Sequence, residues 1–339
     1  MRRPFRAGGG RLALAATLAV AAGLTVTATG SHTSPAAAPG QRTLAVTIDD
    51  LPFVDPGGRH ALADAEAATT AMLDALRAAG AAAVAFVNED KLDAPGGRDA
   101  RVALLRRWVA AGHLLGNHTR SHPDLNTLSA AAFLADVDRG AEVWPGLQSP
   151  TAPRLFRHPM THTGDTAGKR SEVLAGLARR GYTVAPHTIE NADYVFNVGY
   201  VRARRQGDTA LRARIVAAYL AHTAAVTAFA ERKAAELFGR DDVPQTLLIH
   251  ANALQAEALP ALLAAVAGRG YRFVPLADAM RDPAYHSPDT LVSRFGPSWL
   301  FRWSRSLGRP ISFSGDPEPP AWITDLAAQR ATPSGAVPR

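Results

Sequence analysis

Two acids and two histidines occur at short spacings where apolar runs of the sequence end. Asp49 and Asp50 follow the first apolar run after residue 40. His118 and His122 follow the third run, and histidines at positions i and i+4 lie on the same side of a helical turn, where two imidazole nitrogens can share one ion. The chain has no cysteine, so any metal ion must be bound by nitrogen and oxygen ligands.

Three further polar residues occur at the ends of later apolar runs. Arg157 ends the fourth run, Asp193 lies in the segment after the fifth, and His250 ends the sixth. Taken singly, a surface arginine or a structural histidine is the more common explanation. Together the residues fit metal-assisted hydrolysis, with two histidines and one aspartate as ligands, a second aspartate as base and a distant histidine as acid.

The elements that must position these residues alternate between strand and helix. The predicted strands are Thr43–Ile48, Ala83–Val87, His113–Gly116, Arg154–Arg157, Tyr182–Pro186, Gln245–Ile249 and Tyr271–Val274. The predicted helices are Leu62–Ala79, Ala100–Ala111, Ser129–Val143, Ser171–Arg180, Thr209–Phe238 and Leu259–Ala267, with Gly80, Gly112 and Gly268 each ending a helix. This alternation predicts an α/β fold with a parallel sheet, either barrel-like or open and doubly wound.

The chain divides into three predicted regions. Residues 1–40 are predicted to be a signal peptide and linker, because a basic start precedes an apolar run; an uncleaved membrane anchor is the alternative. Residues 41–280 are the predicted catalytic domain, with a helical insertion at about 199–240. Residues 281–339 are a predicted irregular extension. A cleaved signal implies a secreted, periplasmic or cell-envelope protein without a stable membrane span.

The motifs resemble those of the polysaccharide deacetylase family, also called the NodB-homology domain or carbohydrate esterase family four. They occur in the family's order between residues 43 and 274. The matching segments are Thr47-Ile48-Asp49-Asp50, His118-Thr119-Arg120-Ser121-His122, Phe156-Arg157-His158-Pro159, Asp193-Tyr194 and Leu248-Ile249-His250. The resemblance implies a deformed (β/α) barrel of about seven parallel strands.

By motif, the resemblance also implies a metal site. Asp50, His118 and His122 would bind one divalent metal ion, most simply zinc, with cobalt, nickel or manganese as alternatives. The implied substrate is an acetylated carbohydrate similar to chitin, peptidoglycan or xylan.

The remaining motif residues take catalytic roles by the same resemblance. Asp49 would be the general base and His250 the general acid. Arg157 would orient Asp49, Asp193 would hold and tune His250, and a backbone N–H near Met160 would help to stabilise the oxyanion.

Two other functions stay open at the level of sequence. One is an amidase that acts on another non-peptide C–N bond, and the other is a catalytically silent module that binds cell-wall glycan. No nucleic-acid partner is expected, because no basic stripe interleaved with aromatic residues occurs. The oligomeric state is left open.

Overall fold

The protein is built around a curled parallel β-sheet. The computed structural model describes residues 40–58 and 60–329, so the predicted signal segment and the last ten residues lie outside the described residues. The strands are β1 Thr43–Leu51, β2 Ala83–Val87, β3 Leu114–Asn117, β4 Leu155–Phe156, β5 Thr183–Val184, β6 Ile189–Glu190, β7 Gln245–His250 and β8 Arg272–Phe273. Their order is β5-β4-β3-β2-β1-β7-β6, and β8 pairs with the start of β1.

Most helices lie in the crossovers between the strands, and the last three follow β8. They are α1 Leu62–Ala79, α2 Arg98–Ala110, α3 Ala130–Arg139, α4 Ala167–Arg179, α5 Asp193–Gln206, α6 Thr209–Phe238, α7 Ala253–Gly268, α8 Leu276–Ala279, α9 Trp299–Ser306 and α10 Ala321–Ala328. Helix α1 ends at Gly80, whose φ of 61° is in the left-handed region and lets its N–H bond back to the carbonyl groups of the last turn. The predicted end of α1 is therefore confirmed.

The two faces of the sheet pack against different partners. Leu44, Val46 and Ile48 belong to the large core that the helices cover. Ala45 and Phe86 belong to a smaller cluster enclosed by the curl of the sheet. Since side chains alternate along a strand, the residues that follow Ala45 at intervals of two also face the inside of the curl. The predicted deformed barrel is confirmed, and among the described strands no pairing closes it between β5 and β6.

Several sequence-based boundaries are wrong in detail. Strand β6 was not predicted, because two residues are too short to give an alternating pattern. Helix α7 begins six residues before its predicted start and contains Pro260 in its interior. The predicted cap Gly268 is the last residue of α7, and the glycine with positive φ is Gly270.

The predicted insertion at 199–240 consists of two helices, and its first boundary falls inside α5. Helix α6 is long and apolar enough to cross a membrane by length and composition alone. A core helix of a soluble protein meets the same criteria, and α6 buries Ile215, Tyr219 and Phe229.

The C-terminal extension is more ordered than the sequence predicts. It contains α9 and α10, and it buries Trp299 and Trp303 against the main core. Because of its high proline and glycine content, the extension was predicted to be irregular, and two helices of eight residues each were missed. The extension therefore forms part of the folded body of the protein.

Candidate active site

Asp49 and Asp50 occupy the carboxyl end of β1. Asp49 follows Ala45 by four residues and so faces the inside of the curl, where it is 2% exposed. In a regular strand Asp50 would face the opposite side. The register between β1 and β2 shifts after Ile48, and Asp50 has a φ of 73°, so both carboxylates line the same cavity.

His118 and His122 lie on a loop after β3, so the predicted helical turn is wrong. Thr119 and His122 have positive φ angles of 67° and 52°. The Asn117 side chain accepts a hydrogen bond from the Thr119 N–H at 2.6 Å, and Asp136 accepts bonds from the next two backbone amides at 3.0 and 2.9 Å. These local bonds replace those of a helix, yet they still bring both imidazoles into the cavity.

Asp50, His118 and His122 form a group that can hold a metal ion. One ligand atom from each lies within 4.8 Å of the others. The Asp50 Oδ1 is 3.7 Å from His122 Nε2 and 3.9 Å from His118 Nε2. The His118 Nδ1 is 2.8 Å from the carbonyl oxygen of Arg157, which can only accept. Nδ1 must therefore carry the proton, and the lone pair of Nε2 faces Asp50.

The protonation states of this group suit a divalent cation. Burial lowers the pKa of His118 well below its ordinary value and also lowers that of His122, so both rings are neutral at pH 7. Burial alone would raise the pKa of Asp50, but Lys91 together with the nearby histidines His122, His250 and His118 holds it well below its usual range. Two neutral imidazoles and one carboxylate are the donor set that zinc and similar ions bind.

Lys91 is a site residue that the sequence analysis missed. Its Nζ is 2.8 Å from Asp50 Oδ1 and 2.8 Å from the side-chain oxygen of Asn88. No motif signals this contact, since Lys91 lies in a short 3₁₀ helix 41 residues after Asp50. The ammonium group compensates the buried carboxylate and stands directly beside the three candidate ligands.

The carboxyl group of Asp49 has the environment of a base. Burial raises its pKa to about 6, although Arg157 and His250 act in the opposite direction. One of its oxygens, Oδ2, is 3.8 Å from His118 Nε2, and the other has no hydrogen-bond partner. A carboxylate whose pKa lies near neutrality is suited to accept a proton from water.

Arg157 is fully buried on the inner face of the sheet. Its Nη2 donates to Thr47 Oγ1 at 2.8 Å, whereas Nε and Nη1 have no hydrogen-bond partner. The guanidinium influences the pKa of Asp49 but is not within ion-pair distance of it in the described residues. The expected direct orientation of Asp49 by Arg157 therefore stays a prediction.

His250 and Asp193 form a close pair opposite Asp49. His250 is the register partner of Asp49 in the pairing of β7 with β1. The His250 Nδ1 is 2.6 Å from Asp193 Oδ1, and Asp193 Oδ2 accepts bonds from the His250 N–H and from Asn252 at 2.9 Å each. Burial lowers the pKa of His250, but Asp193, with added effects of Asp50 and Asp49, raises it to about 10.

Strained backbone concentrates around the cavity. The described chain has seven non-glycine residues with positive φ, and six of them lie at the cavity. Four of the six line it, and the other two are chain neighbours of His118 and Asp193. The six are Asp50, Thr119, His122, Met160, Thr161 and Ala192. Such conformations cost free energy and accumulate where function fixes the backbone.

The cavity that contains these groups has a volume of about 620 Å³. The sequence analysis missed several residues of its wall, because they follow no recognisable motif. His162 is held by Asp124 at 2.7 Å, and Glu190 accepts a bond from the Ala192 N–H at 2.7 Å. Phe295 enters the wall from the C-terminal extension. The structure thus brings all seven predicted site residues to one end of the sheet.

Comparison with known proteins agrees with the motif order. Residues 36–172 match the family model described as polysaccharide deacetylase. A chitin deacetylase of Colletotrichum lindemuthianum is 31% identical over 157 residues, which are 45% of this chain and 54% of that protein. A chitin deacetylase of Pestalotiopsis sp is 30% identical over 152 residues, 45% of this chain and 43% of that protein. The chain spans about half the length of these curated relatives.

Among solved structures, the peptidoglycan deacetylase PdaC from Bacillus subtilis is 20% identical. The match covers 72% of this chain and 93% of that chain, with a TM-score of 0.46. The similarity to the polysaccharide deacetylase family therefore extends over residues 36–172, which are less than half of the chain. The matched family region contains Asp49, Asp50, His118, His122 and Arg157. Asp193 and His250 lie beyond it, so their assignment depends on their geometry.

Proposed function

We propose that this protein is a metal-dependent hydrolase that removes N- or O-acetyl groups from a carbohydrate outside the cytoplasm. The observation that carries the proposal is one cavity in which Asp50, His118 and His122 can share an ion beside Asp49 and His250. Zinc is the proposed ion. The proposed export rests on the basic and apolar composition of residues 1–40.

Different proton affinities give two residues of the cavity different roles, one as general base and one as general acid. Asp50, His118 and His122 would hold a divalent ion, which would polarise the acetyl carbonyl and lower the pKa of water in the site. Asp49 is ionised above its pKa of about 6 and accepts the proton of the attacking water. His250 is protonated below its pKa of about 10 and donates to the leaving nitrogen or oxygen. Asp193 keeps His250 protonated and fixes its ring.

The test is to measure bound metal and released acetate over a panel of acetylated chitin, peptidoglycan and xylan fragments. The wild type is compared with Asp49→Ala and His118→Ala, with the exposed His286→Ala as a matched control. We expect the wild type and the control to release acetate. His118→Ala should lose metal, and Asp49→Ala should keep it but react slowly.

Two results separate the alternatives. Release of ammonia or formate without acetate would indicate an amidase of another C–N bond. Glycan binding without any turnover by metal-loaded wild type would indicate a silent binding module. Turnover by both alanine variants at the wild-type rate would refute the proposed site.

A further inference from the structure

The C-terminal extension contributes a wall to the catalytic cavity. Residues 289–299, called the strap below, run past the cavity without regular structure until α9 begins. Hydrogen bonds tether the strap to the body of the protein on both sides of Phe295. They join Asp289 to Arg302 (2.9 Å), Arg294 O to Asn126 (2.8 Å), Gly296 O to Thr161 (2.7 Å) and Trp299 N to His187 O (2.8 Å).

Gly296 shows how closely the strap is packed against the cavity. A Cβ atom at this position would lie 1.8 Å from Thr161 Oγ1 and 2.3 Å from the carbonyl oxygen of Met160. Only glycine permits this approach of two backbones. The strap is therefore a fixed part of the wall, and it holds the residue before Gly296, which is Phe295, in a defined position.

Phe295 is held in place yet exposed. Its side chain is 78% exposed, and it lines the same cavity as Met160 at 47% and Tyr194 at 55%. Among the described residues these are three of the four exposed large hydrophobic side chains, and the fourth is Val292. Exposed apolar groups that gather at one cavity mark a surface that a ligand covers.

The exposure of each residue indicates how deep it lies in the cavity and therefore which part of a ligand it would contact. Asp49 and His118 are 2% and 1% exposed and lie at the floor, where the acetyl group must react. Tyr194 contacts the ring of His250, with centroids 5.7 Å apart, and so borders the reacting sugar. Phe295 is far more exposed, so it faces whatever extends from the floor toward solvent.

We propose that Phe295, held by the strap, binds the sugar unit next to the one that is deacetylated, by stacking on its apolar face. This inference rests on the proposed function and extends it to the substrate class: an acetylated oligosaccharide of at least two units. A pyranose ring presents C–H groups on its faces and hydroxyl groups at its rim. The electron-rich face of a phenyl ring suits the C–H groups, and water reaches the rim.

The experiment compares chain lengths. We would measure kcat/KM of zinc-loaded enzyme for N-acetylglucosamine and its acetylated tetramer, and for acetylated xylotetraose. Phe295→Ala should reduce the preference for tetramer over monosaccharide about tenfold, as expected for losing one stacked apolar face. Phe295→Trp should keep the preference within about twofold, because it retains a flat ring. Val292→Ala, on the same strap but away from the cavity lining, should match the wild type.

A binding measurement provides a readout that does not need turnover. Calorimetric titration of Asp49→Asn with the acetylated tetramer should give a Kd about tenfold weaker when Phe295→Ala is added. An unchanged preference and an unchanged Kd in Phe295→Ala would overturn the inference while the proposed function stands. If wild type released acetate from none of these sugars, the proposed function and this inference would both be refuted.

Discussion

Replacing Asp193 by asparagine should lower the pKa of His250, so that His250 loses its proton at neutral pH. The rise of the His250 pKa from an ordinary 6.5 to about 10 corresponds to about 5 kcal/mol of differential interaction. Asp193 contributes the larger part of this stabilisation through its charge and the 2.6 Å hydrogen bond, and Asp50 and Asp49 add to it. Asparagine keeps the size of the side chain and one acceptor oxygen but removes the charge. Burial then dominates and should bring the pKa to 6.5 or below.

The effect on activity follows from the protonated fraction. At pH 8 about 99% of His250 is protonated in the wild type, against about 3% in a variant with a pKa of 6.5. If His250 is the general acid, kcat/KM at pH 8 should fall at least about 30-fold. The alkaline limb of the pH profile should move from near pH 10 to below pH 7.

The assay is acetate release by zinc-loaded enzyme between pH 5.5 and 10.5, with an NMR titration of the His250 ring in metal-free protein. Gln255→Leu is the control, since Gln255 donates to Asp193 Oδ2 at 3.1 Å without carrying charge. Its alkaline limb should stay close to that of the wild type. Identical limbs for Asp193→Asn and wild type would refute the role of His250 as the acid.

Stability should change with pH in the same direction. The pKa of His250 is higher in the folded protein than its ordinary value, so protonation favours folding. This contribution is fully present below pH 6.5 and is lost as the pH rises through about 10. The Tm of metal-free wild type should therefore fall over this range, and that of Asp193→Asn should fall less.

Three further outcomes test the site. Asp49→Asn should stabilise metal-free protein at pH 8 by up to about 3 kcal/mol, measured by urea unfolding. The reason is that ionisation of a buried carboxyl group whose pKa is raised to about 6 destabilises the folded protein. The same variant should abolish turnover. Lys91→Met should tighten zinc binding about tenfold in a chelator competition, since it removes a cation 2.8 Å from Asp50, while Lys169→Met, whose partner is Asp165, should not. Chelation should stop acetate release by wild type, and added zinc should restore it.

Much of the site could be predicted because it depends on strand periodicity. Asp49 and His250 end strands whose inner faces are fixed by alternation from Ala45 and Leu248. Once the parallel sheet is predicted, the carboxyl ends of neighbouring strands must meet at one edge. That reasoning needs only hydrophobic pattern and strand direction, both of which are local properties of the sequence.

The remaining features depend on contacts that no local pattern encodes. Alternation alone would turn Asp50 away from the cavity, and the bulge that corrects it depends on pairing with β2. The loop from His118 to His122 is set by side-chain bonds from Asn117 and Asp136, which override the helical spacing. Phe295 reaches the site only because the extension packs its tryptophans into the main core.

The acid and the base of the proposed reaction are neighbours in the sheet, yet they favour opposite charge states. Asp49 and His250 are register partners on β1 and β7, so the same barrel interior desolvates both. Desolvation penalises either charge, raising the pKa of the carboxyl group and lowering that of the imidazole. Only His250 has a carboxylate in hydrogen-bond contact, because Asp193 begins α5 directly beside it, whereas Arg157 bonds to Thr47 instead of Asp49. The order of the two pKa values, about 6 and about 10, thus depends on which residue has a hydrogen-bonded counter-charge. Between pH 6 and pH 10, Asp49 can accept a proton while His250 can still donate one.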